Sequence, residues 1–185
     1  NLQHGSEKIQ YFDAPQSTLK KFWQAIRPHQ WLKNALIFLP LILSHQLNHP
    51  NLLLQACVAF FSFSFIASSV YLLNDMLDIN SDRQHQSKFR RPFASGDLSL
   101  IYGYLGAPSL LILGFLIALW LPTEFVFVLL TYWLMTTAYS LLLKSLFLID
   151  VLTLASLYTW RIIAGSAAIS VVTTYYLLAF SFFLF

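Results

Sequence analysis

Long apolar runs separated by short polar segments make up most of the chain. The complete runs are close to the length that a helix needs to cross a bilayer. Turn signals such as His49-Pro50-Asn51 lie between them, and Pro40 is expected to kink the first span. The pattern predicts an all-α, polytopic transmembrane helical bundle with five complete spans and the start of a sixth, over 32–47, 52–73, 101–121, 125–143, 151–169 and from Tyr175 onward.

The composition agrees with a membrane location. Hydrophobic residues make up 57% of the chain and charged residues 10%, whereas soluble domains carry about 25% charged residues. The net charge of +3 does not indicate a nucleic-acid partner, because the basic residues cluster beside the apolar runs. Residues 1–20 predict a polar linker or the tail of an upstream domain, and 21–185 predict a membrane domain. Both ends lead us to expect a piece of a longer protein.

The positions of the basic residues predict an orientation. Cytoplasmic loops of membrane proteins carry an excess of lysine and arginine. With alternating spans, the basic residues that flank the apolar runs all fall on one side, and the loops at 45–51, 121–124 and 170–174 have none. The polar segment after the second run is therefore expected in the cytoplasm, and basic and aromatic residues at 20–33 predict an amphipathic interfacial segment. The basic residues that set this pattern are Lys20, Lys21, Arg27, Lys33, Arg83, Lys88, Arg90, Arg91 and Lys144.

Three of the chain's eight acidic residues fall in one short segment after the second run. Asp75, Asp78 and Asp82 are spaced i, i+3 and i+7, so on one continuous helix they share a face. Like charges at this spacing repel each other. Converging carboxylates are the hard oxygen ligands that Mg²⁺ prefers, and Asn74 adds a neutral oxygen or amide donor. The segment therefore predicts a Mg²⁺ site.

A basic cluster follows the acids and indicates what the metal would bind. Lys88, Arg90 and Arg91 are suited to phosphate oxygens, and Mg²⁺ can bridge carboxylates to a diphosphate. A solvated loop is the alternative interpretation. A calcium loop starting at Asp78 is excluded, because Arg83 stands where glycine is needed and Phe89 where glutamate is needed.

The run from Asn74 to Asp82 has the pattern NDxxDxxxD and is followed by Arg91-Pro92. It closely resembles the first aspartate-rich motif of the UbiA superfamily of intramembrane prenyltransferases. Stretches at 27–34, 67–73, 139–144 and 150–165 agree, so the resemblance covers about 19–185. It is nearest to the branch of polyprenyl-phosphate phosphoribosyltransferases and of bacterial proteins in which a haloacid-dehalogenase-like domain precedes the UbiA part. A bacterial inner membrane is the expected location.

The resemblance implies a helical bundle around a central cavity in which two aspartate motifs bind Mg²⁺ and diphosphate. The first motif would comprise Asn74, Asp75, Asp78 and Asp82 as catalytic residues, with the three aspartates as metal ligands. Diphosphate would also be bound by Arg91, Arg90, Lys88, Lys144 and Tyr139. No second aspartate motif is present in this sequence, so the fragment alone is expected to be inactive.

Three further basic residues are candidates for lining the cavity: Arg27, Lys33 and Arg161. Arg161 lies inside the fifth apolar run, where a charged side chain is costly and usually faces a cavity or a partner. The alternative is a structural role for Arg161, in an ion pair or bound to backbone carbonyls.

Three functional hypotheses remain open from the sequence. The first is Mg²⁺-dependent transfer of a polyprenyl group from a polyprenyl diphosphate to a small-molecule acceptor, expected to be aromatic. The second is phosphoribosyl transfer from phosphoribosyl diphosphate to a polyprenyl phosphate. The third is not enzymatic: a channel or carrier subunit with an acidic vestibule.

Overall fold

The computed structural model describes residues 17–143, 147–172 and 175–184, and every regular element in these ranges is helical. The predicted all-α fold is therefore confirmed. The α-helices are α1 (Thr18–Ala25), α2 (Leu39–Leu43), α3 (Pro50–Leu77), α4 (Ile79–Gln84), α5 (Pro92–Ser95), α6 (Leu100–Ala118), α7 (Thr123–Ala138), α8 (Phe147–Ala168) and α9 (Tyr175–Leu184). Between them lie 3₁₀ segments at Pro28–Phe38 and Lys88–Arg90, and a π-helical turn at Tyr139–Leu143.

Three stretches in the described part of the chain are long and apolar enough to cross a membrane: Pro50–Leu77, Leu100–Ala118 and Thr123–Leu141. They correspond to the second, third and fourth predicted spans. The first predicted span, 32–47, differs from expectation. It consists of the 3₁₀ segment followed by the five residues of α2. Pro40 lies at the start of α2, where its missing N–H costs no helical hydrogen bond.

Helix α3 is the central element of the bundle. Its buried residues Phe63, Ile66 and Ala67 pack in one core with Phe125 and Leu129 of α7. Serines on α3 bind neighbouring segments: the Ser62 hydroxyl donates to the Gly114 carbonyl of α6, and the Ser68 hydroxyl donates to the Ile26 carbonyl. Small residues and hydroxyl groups of this kind allow close helix packing inside a membrane.

The amphipathic segment predicted at 20–33 is interrupted. Helix α1 ends at Ala25, and the backbone of Arg27 has φ 53° and ψ 58°, in the left-handed region. Pro28 then starts the 3₁₀ segment. Helix α1 is fastened to the loop before α6 by an ion pair of 2.7 Å between Lys21 Nζ and Asp97 Oδ2. The break at Arg27 turns that side chain toward the end of α3.

Candidate active site

The acidic segment bends at its middle aspartate. Helix α3 ends at Leu77, Asp78 has φ −93° and ψ 8°, and α4 begins at Ile79. Asp75, Asp78 and Asp82 therefore do not share a face of one continuous helix, and that expectation from spacing is wrong. The chain stays locally connected, because the Asp82 N–H donates to the Asp78 carbonyl over 2.8 Å. The bend brings the buried side chains of Asp75 and Asp82 to the same arginine.

That arginine is Arg91, which lies between the two acids. Its Nη1 is 3.2 Å from Asp75 Oδ1 and 2.7 Å from Asp82 Oδ2. Arg83 helps to fix this geometry, since its Nε donates to the Ala94 carbonyl and so ties α4 to α5, which starts just after Arg91. Two carboxylates that would repel each other thus share one guanidinium group.

Asp75 has a second cationic partner, Arg27, whose Nη2 is 2.5 Å from Asp75 Oδ1. The guanidinium of Arg27 also lies over the Tyr71 ring, 5.4 Å from its centroid. A non-glycine residue with positive φ is uncommon, and such backbone strain concentrates at functional sites. The strained Arg27 backbone places its charge against an aspartate that is 2% exposed.

The other carboxylate oxygen of Asp75 lacks a partner. Among the described residues, Asp75 Oδ2 is buried and has no hydrogen-bond partner. A buried polar atom without a partner is costly and calls for an explanation. A cation would supply the missing interaction.

A cavity of about 330 Å³ opens beside Asp75. We call it the aspartate cavity, and its lining includes Arg27, His29, Asp75, Arg90, Arg91 and Pro92. Arg90 is exposed there and stacks on Phe89, with its Cζ 5.4 Å from the ring centroid. Lys88 lies exposed in the neighbouring 3₁₀ turn and is not part of this lining. Lys144 lies outside the described residues.

The charges at the aspartate cavity nearly balance without a ligand. Asp75 and Asp82 carry two negative charges, and Arg27 and Arg91 carry two positive charges. A diphosphate needs further positive charge, which Arg90 supplies only in part. The described residues contain no group of three His, Cys, Asp or Glu side chains that could hold a metal alone. Mg²⁺ is usually bound by one or two carboxylates together with substrate phosphates, so this donor set fits it.

Asn74, the first residue of the motif, joins the site to the turn that follows α7. Its Oδ1 accepts a hydrogen bond from the Ser140 hydroxyl. Ser140 lies in the π-helical turn Tyr139–Leu143, and π-helical turns occur frequently at functional sites. The turn also brings Tyr139 into the lining of a second cavity.

This second cavity, which we call the arginine cavity, has a volume of about 270 Å³. It is lined by all three residues predicted to face a cavity: Arg27, Lys33 and Arg161. Arg161 also bonds to a backbone carbonyl, since its Nη1 is 2.6 Å from the Leu157 oxygen. The functional and structural alternatives for Arg161 are therefore both present in the molecule. Arg27 lines both cavities.

Sequence reasoning did not assign a role to Asn34. It is 1% exposed, accepts from Arg161 Nε over 2.9 Å, and donates from Nδ2 to Ser64 Oγ over 2.9 Å. A polar amide within an apolar run was the signal available, since polar groups at membrane depth need partners. The partner could not be identified from sequence, because Arg161 is 127 residues away.

Comparison with known proteins identifies a family and several relatives. A model of the UbiA prenyltransferase family matches residues 35–185. Nodulation protein NoeC of Azorhizobium caulinodans is 36% identical over 162 residues, covering 86% of this chain and 52% of that protein. The decaprenyl-phosphate phosphoribosyltransferase of Mycolicibacterium smegmatis is 30% identical over 185 residues, covering 97% of this chain and 58% of that enzyme.

A solved structure has the same fold. A UbiA homologue from Archaeoglobus fulgidus, bound to DMAPP and Mg²⁺, superposes with a TM-score of 0.71 at 20% identity, over 89% of this chain and 59% of that one. The chain spans between 35% and 58% of the length of the relatives that it matches along most of its own length. Three membrane-length stretches and the match over 35–185 support a multi-pass membrane protein. The chain belongs to the UbiA prenyltransferase family.

Proposed function

We propose that the protein is a Mg²⁺-dependent membrane transferase that moves a phosphoribosyl group from phosphoribosyl diphosphate to a polyprenyl phosphate. One observation carries this proposal. Buried Asp75 lies between Arg27 and Arg91, with one carboxylate oxygen unpartnered among the described residues, beside a cavity of about 330 Å³. This arrangement is suited to a metal-bound diphosphate.

The relatives support this choice of donor. The sequence alone placed prenyl transfer first and phosphoribosyl transfer second. The matching family is named for prenyl transfer, but four curated relatives between 30% and 37% identical are decaprenyl-phosphate phosphoribosyltransferases. Because of this similarity, phosphoribosyl transfer becomes the first candidate and prenyl transfer the second.

Each residue has a defined part in the proposed reaction. Asp75, Asp78 and Asp82 would hold Mg²⁺ together with the donor phosphates, and Arg91 and Arg90 would bind oxygens of the donor diphosphate. When bound, Mg²⁺ would stabilise the negative charge of the leaving diphosphate. A phosphate oxygen of the acceptor bonds to the ribosyl C1 as the bond from C1 to the diphosphate oxygen breaks. The departing diphosphate takes that electron pair.

Prenyl transfer to an aromatic acceptor is the second candidate. It is favoured by the rings of Tyr71, Tyr132 and Tyr158 around the arginine cavity. Aromatic faces stabilise cations, and an allylic cation would form when a polyprenyl diphosphate ionises. In this reaction the aspartates would have the same role, and only the donor and the acceptor would differ.

We also propose that the aspartate cavity faces the cytoplasm, in a bacterial inner membrane. The basic residues beside it support this orientation by the positive-inside rule. Bacterial relatives such as NoeC support the location.

The decisive experiment measures Mg²⁺-dependent release of diphosphate by membranes that contain the full-length protein. One assay supplies phosphoribosyl diphosphate with a polyprenyl phosphate, and the other a polyprenyl diphosphate with phenolic acids. Release in the first assay supports the proposal. Release in the second assay alone would move the protein to prenyl transfer.

Matched variants test the site in the same assay. Asp75→Asn, Asp78→Asn and Asp82→Asn are each expected to lower turnover by about a hundredfold or more, because the metal loses a charged ligand. Glu124→Gln removes an exposed acidic side chain at the start of α7, outside the cavity, and should retain turnover. Full activity in all three motif variants, or silence in both assays, would contradict the assignment and favour a channel or carrier.

A further inference from the structure

We propose that the arginine cavity is a second anion site that binds the phosphate monoester head of a prenyl lipid, with Arg161 and Lys33 as its cationic ligands. This inference rests on the proposed function, because it assigns a place to the acceptor of that reaction. The cavity is distinct from the one beside Asp75, although Arg27 lines both.

Arg161 is a buried cation held by neutral groups. It is 5% exposed, and its Nε and Nη1 donate to the Asn34 side-chain oxygen and the Leu157 carbonyl. In the part of the chain that the structure describes, no carboxylate forms an ion pair with it. The neutral partners satisfy hydrogen bonds but leave its positive charge uncompensated.

Aromatic rings surround the guanidinium without neutralising it. Its Cζ lies 5.2 Å from the ring centroid of Tyr158 and 5.7 Å from those of Phe63 and Tyr132. Cation–π contacts offset part of the cost of burying a cation. A charge at membrane depth remains expensive, and such residues commonly mark a substrate or ion path. An anion in the cavity is the partner that this position lacks.

The other charges of the cavity favour the same ligand. Lys33 lines it, and no described lining residue is acidic. The charge of Arg27 is already compensated by Asp75. Arg161 and Lys33 therefore remain as two cationic groups for a ligand with up to two negative charges. A phosphate monoester has this charge, and its oxygens accept hydrogen bonds from both residues.

An apolar groove adjoins the arginine cavity at Lys33 and would hold the hydrocarbon chain of the ligand. The groove has a volume of about 300 Å³ and shares Lys33 and Tyr158 with the arginine cavity. Its remaining lining is apolar: Leu32, Ala35, Leu36, Leu39 and Ile42. A headgroup at Arg161 and Lys33 would thus have its hydrocarbon chain along the 3₁₀ segment and α2. This combination fits a prenyl phosphate better than free phosphate.

The test measures binding, independently of turnover, to the full-length protein in lipid nanodiscs. The probes are a short synthetic prenyl phosphate, the matching prenyl alcohol and inorganic phosphate. Arg161→Gln and Lys33→Gln should each weaken binding of the prenyl phosphate by about tenfold or more and leave the alcohol unchanged. Leu36→Trp should weaken both prenyl ligands by filling the groove. The matched control is Lys20→Gln, which changes an exposed lysine on α1 that lines neither cavity.

Lys33 is exposed, so its variant keeps the test valid if Arg161→Gln fails to fold. Unchanged prenyl phosphate binding in Lys33→Gln and in any folded Arg161→Gln protein would overturn the proposal. So would inorganic phosphate binding as tightly as the lipid, which would indicate a site for free phosphate. Binding of phosphoribosyl diphosphate with Mg²⁺ is measured separately. Its absence, with prenyl phosphate binding intact, would overturn the proposed donor but leave this acceptor site standing.

Discussion

At the scale of single residues, one guanidinium group determines how the motif is assembled. Arg91 Nη1 contacts both Asp75 and Asp82, which are on different helices. Each buried carboxylate would be strongly destabilising without a partner. The arginine is thus both a candidate diphosphate ligand and the residue that allows two acids to be buried together.

Replacing Arg91 by lysine should expose this double role. A lysine ammonium is a point charge without the planar fork, so it cannot keep both contacts in the same geometry. We expect Arg91→Lys to lower the free energy of unfolding by about 1–3 kcal/mol, the cost of weakening a hydrogen bond to a charged group. Unfolding of the purified full-length protein in micelles by a denaturing detergent would measure it.

Arg90→Lys is the control for this substitution. Arg90 is exposed and contacts the Phe89 ring, so its replacement should change the free energy of unfolding by at most about 0.5 kcal/mol. Equal effects of the two substitutions would contradict the bridging role of Arg91.

The acidic residues of the site could be predicted from the sequence, but most of their partners could not. Asp75, Asp78 and Asp82 stand out because charges are rare in this chain. Their spacing correctly identified a cluster but assumed one straight helix. The contact of Arg27 with Asp75 spans 48 residues and depends on a left-handed backbone that no local pattern indicates. Long-range pairing of this kind is set by tertiary packing.

At the scale of elements, α8 and the 3₁₀ segment meet backbone to backbone. A Cβ atom on Gly165 would lie 2.1 Å from the Ile37 carbonyl oxygen, far inside contact distance. This close approach brings α8, which carries Arg161, next to the segment that carries Asn34. The hydrogen bond between these two side chains depends on it.

Gly165→Ala is therefore expected to be strongly destabilising. Backbone lies on both sides of the contact, so neither side can yield cheaply, and overpacking of this kind costs about 1–3 kcal/mol or more. The melting temperature of the purified full-length protein would report the loss.

Gly103→Ala is the matched comparison. An added Cβ there would meet the Met76 sulfur at 2.3 Å, but a methionine side chain is flexible and can move away. We expect its melting temperature to fall by less than half as much. A similar fall for both variants would show that the contact at Gly165 is not special.

The attachment of α1 should depend on the ion pair between Lys21 and Asp97. The hydrogen bond from Lys21, followed by that from Ser95, lowers the pKa of the Asp97 carboxyl. Since the folded pKa is lowered, the stabilisation is complete above the ordinary aspartate pKa of about 4 and is lost as the pH falls through the folded value. At neutral pH, Asp97→Asn should speed amide exchange in α1, measured by mass spectrometry.

The wild-type protein should show the same loosening of α1 only in acid, and in part at high salt, because the pair is exposed and screened. Amides of α6 serve as the internal control and should not change. Unaltered exchange in α1 of the Asp97→Asn protein would contradict this role.

Element boundaries were predictable where hydrophobicity alone decides them. The stretches of α3, α6 and α7 follow the apolar runs closely. The first run does not form a regular α-helix, because backbone features before and within it interrupt the helix. These are the left-handed Arg27, Pro28, Pro40 and a positive φ of 57° at His45.

At the scale of the whole molecule, the charge pattern predicts one orientation in the membrane. In a background with Cys57→Ser, single cysteines at Asn48→Cys and Thr123→Cys should react with an impermeant maleimide added to intact cells. Gln86→Cys should react only after the cells are permeabilised, because its basic loop is expected in the cytoplasm. All three positions are exposed in the fold, so access is limited by the membrane alone.

Labelling of Gln86→Cys from outside would contradict both the orientation and the cytoplasmic placement of the aspartate cavity. Labelling of all three positions alike would indicate that the predicted spans do not alternate. The sequence determined this prediction entirely, because positive residues are counted in loops and require no tertiary contact.

We expect activity to require more residues than this chain contains. The chain spans between 35% and 58% of the length of the relatives that it matches along most of its own length, and its sequence carries one aspartate motif where the family resemblance implies two. The fragment was predicted to be inactive for this reason, and that remains a prediction. The partners of a second motif could not be derived from residues that are absent from the sequence.

Arg27 borders both cavities, so its positive charge lies close to both proposed ligands. Ligands in the two cavities are therefore thermodynamically linked. If the first ligand changes the affinity for the second by some factor, the second changes the affinity for the first by the same factor. Because both ligands are anions in neighbouring cavities and Asp75 already compensates the charge of Arg27, we expect the coupling to be antagonistic. A prenyl phosphate group that stays in the arginine cavity after transfer would then favour release of the spent diphosphate from its neighbour.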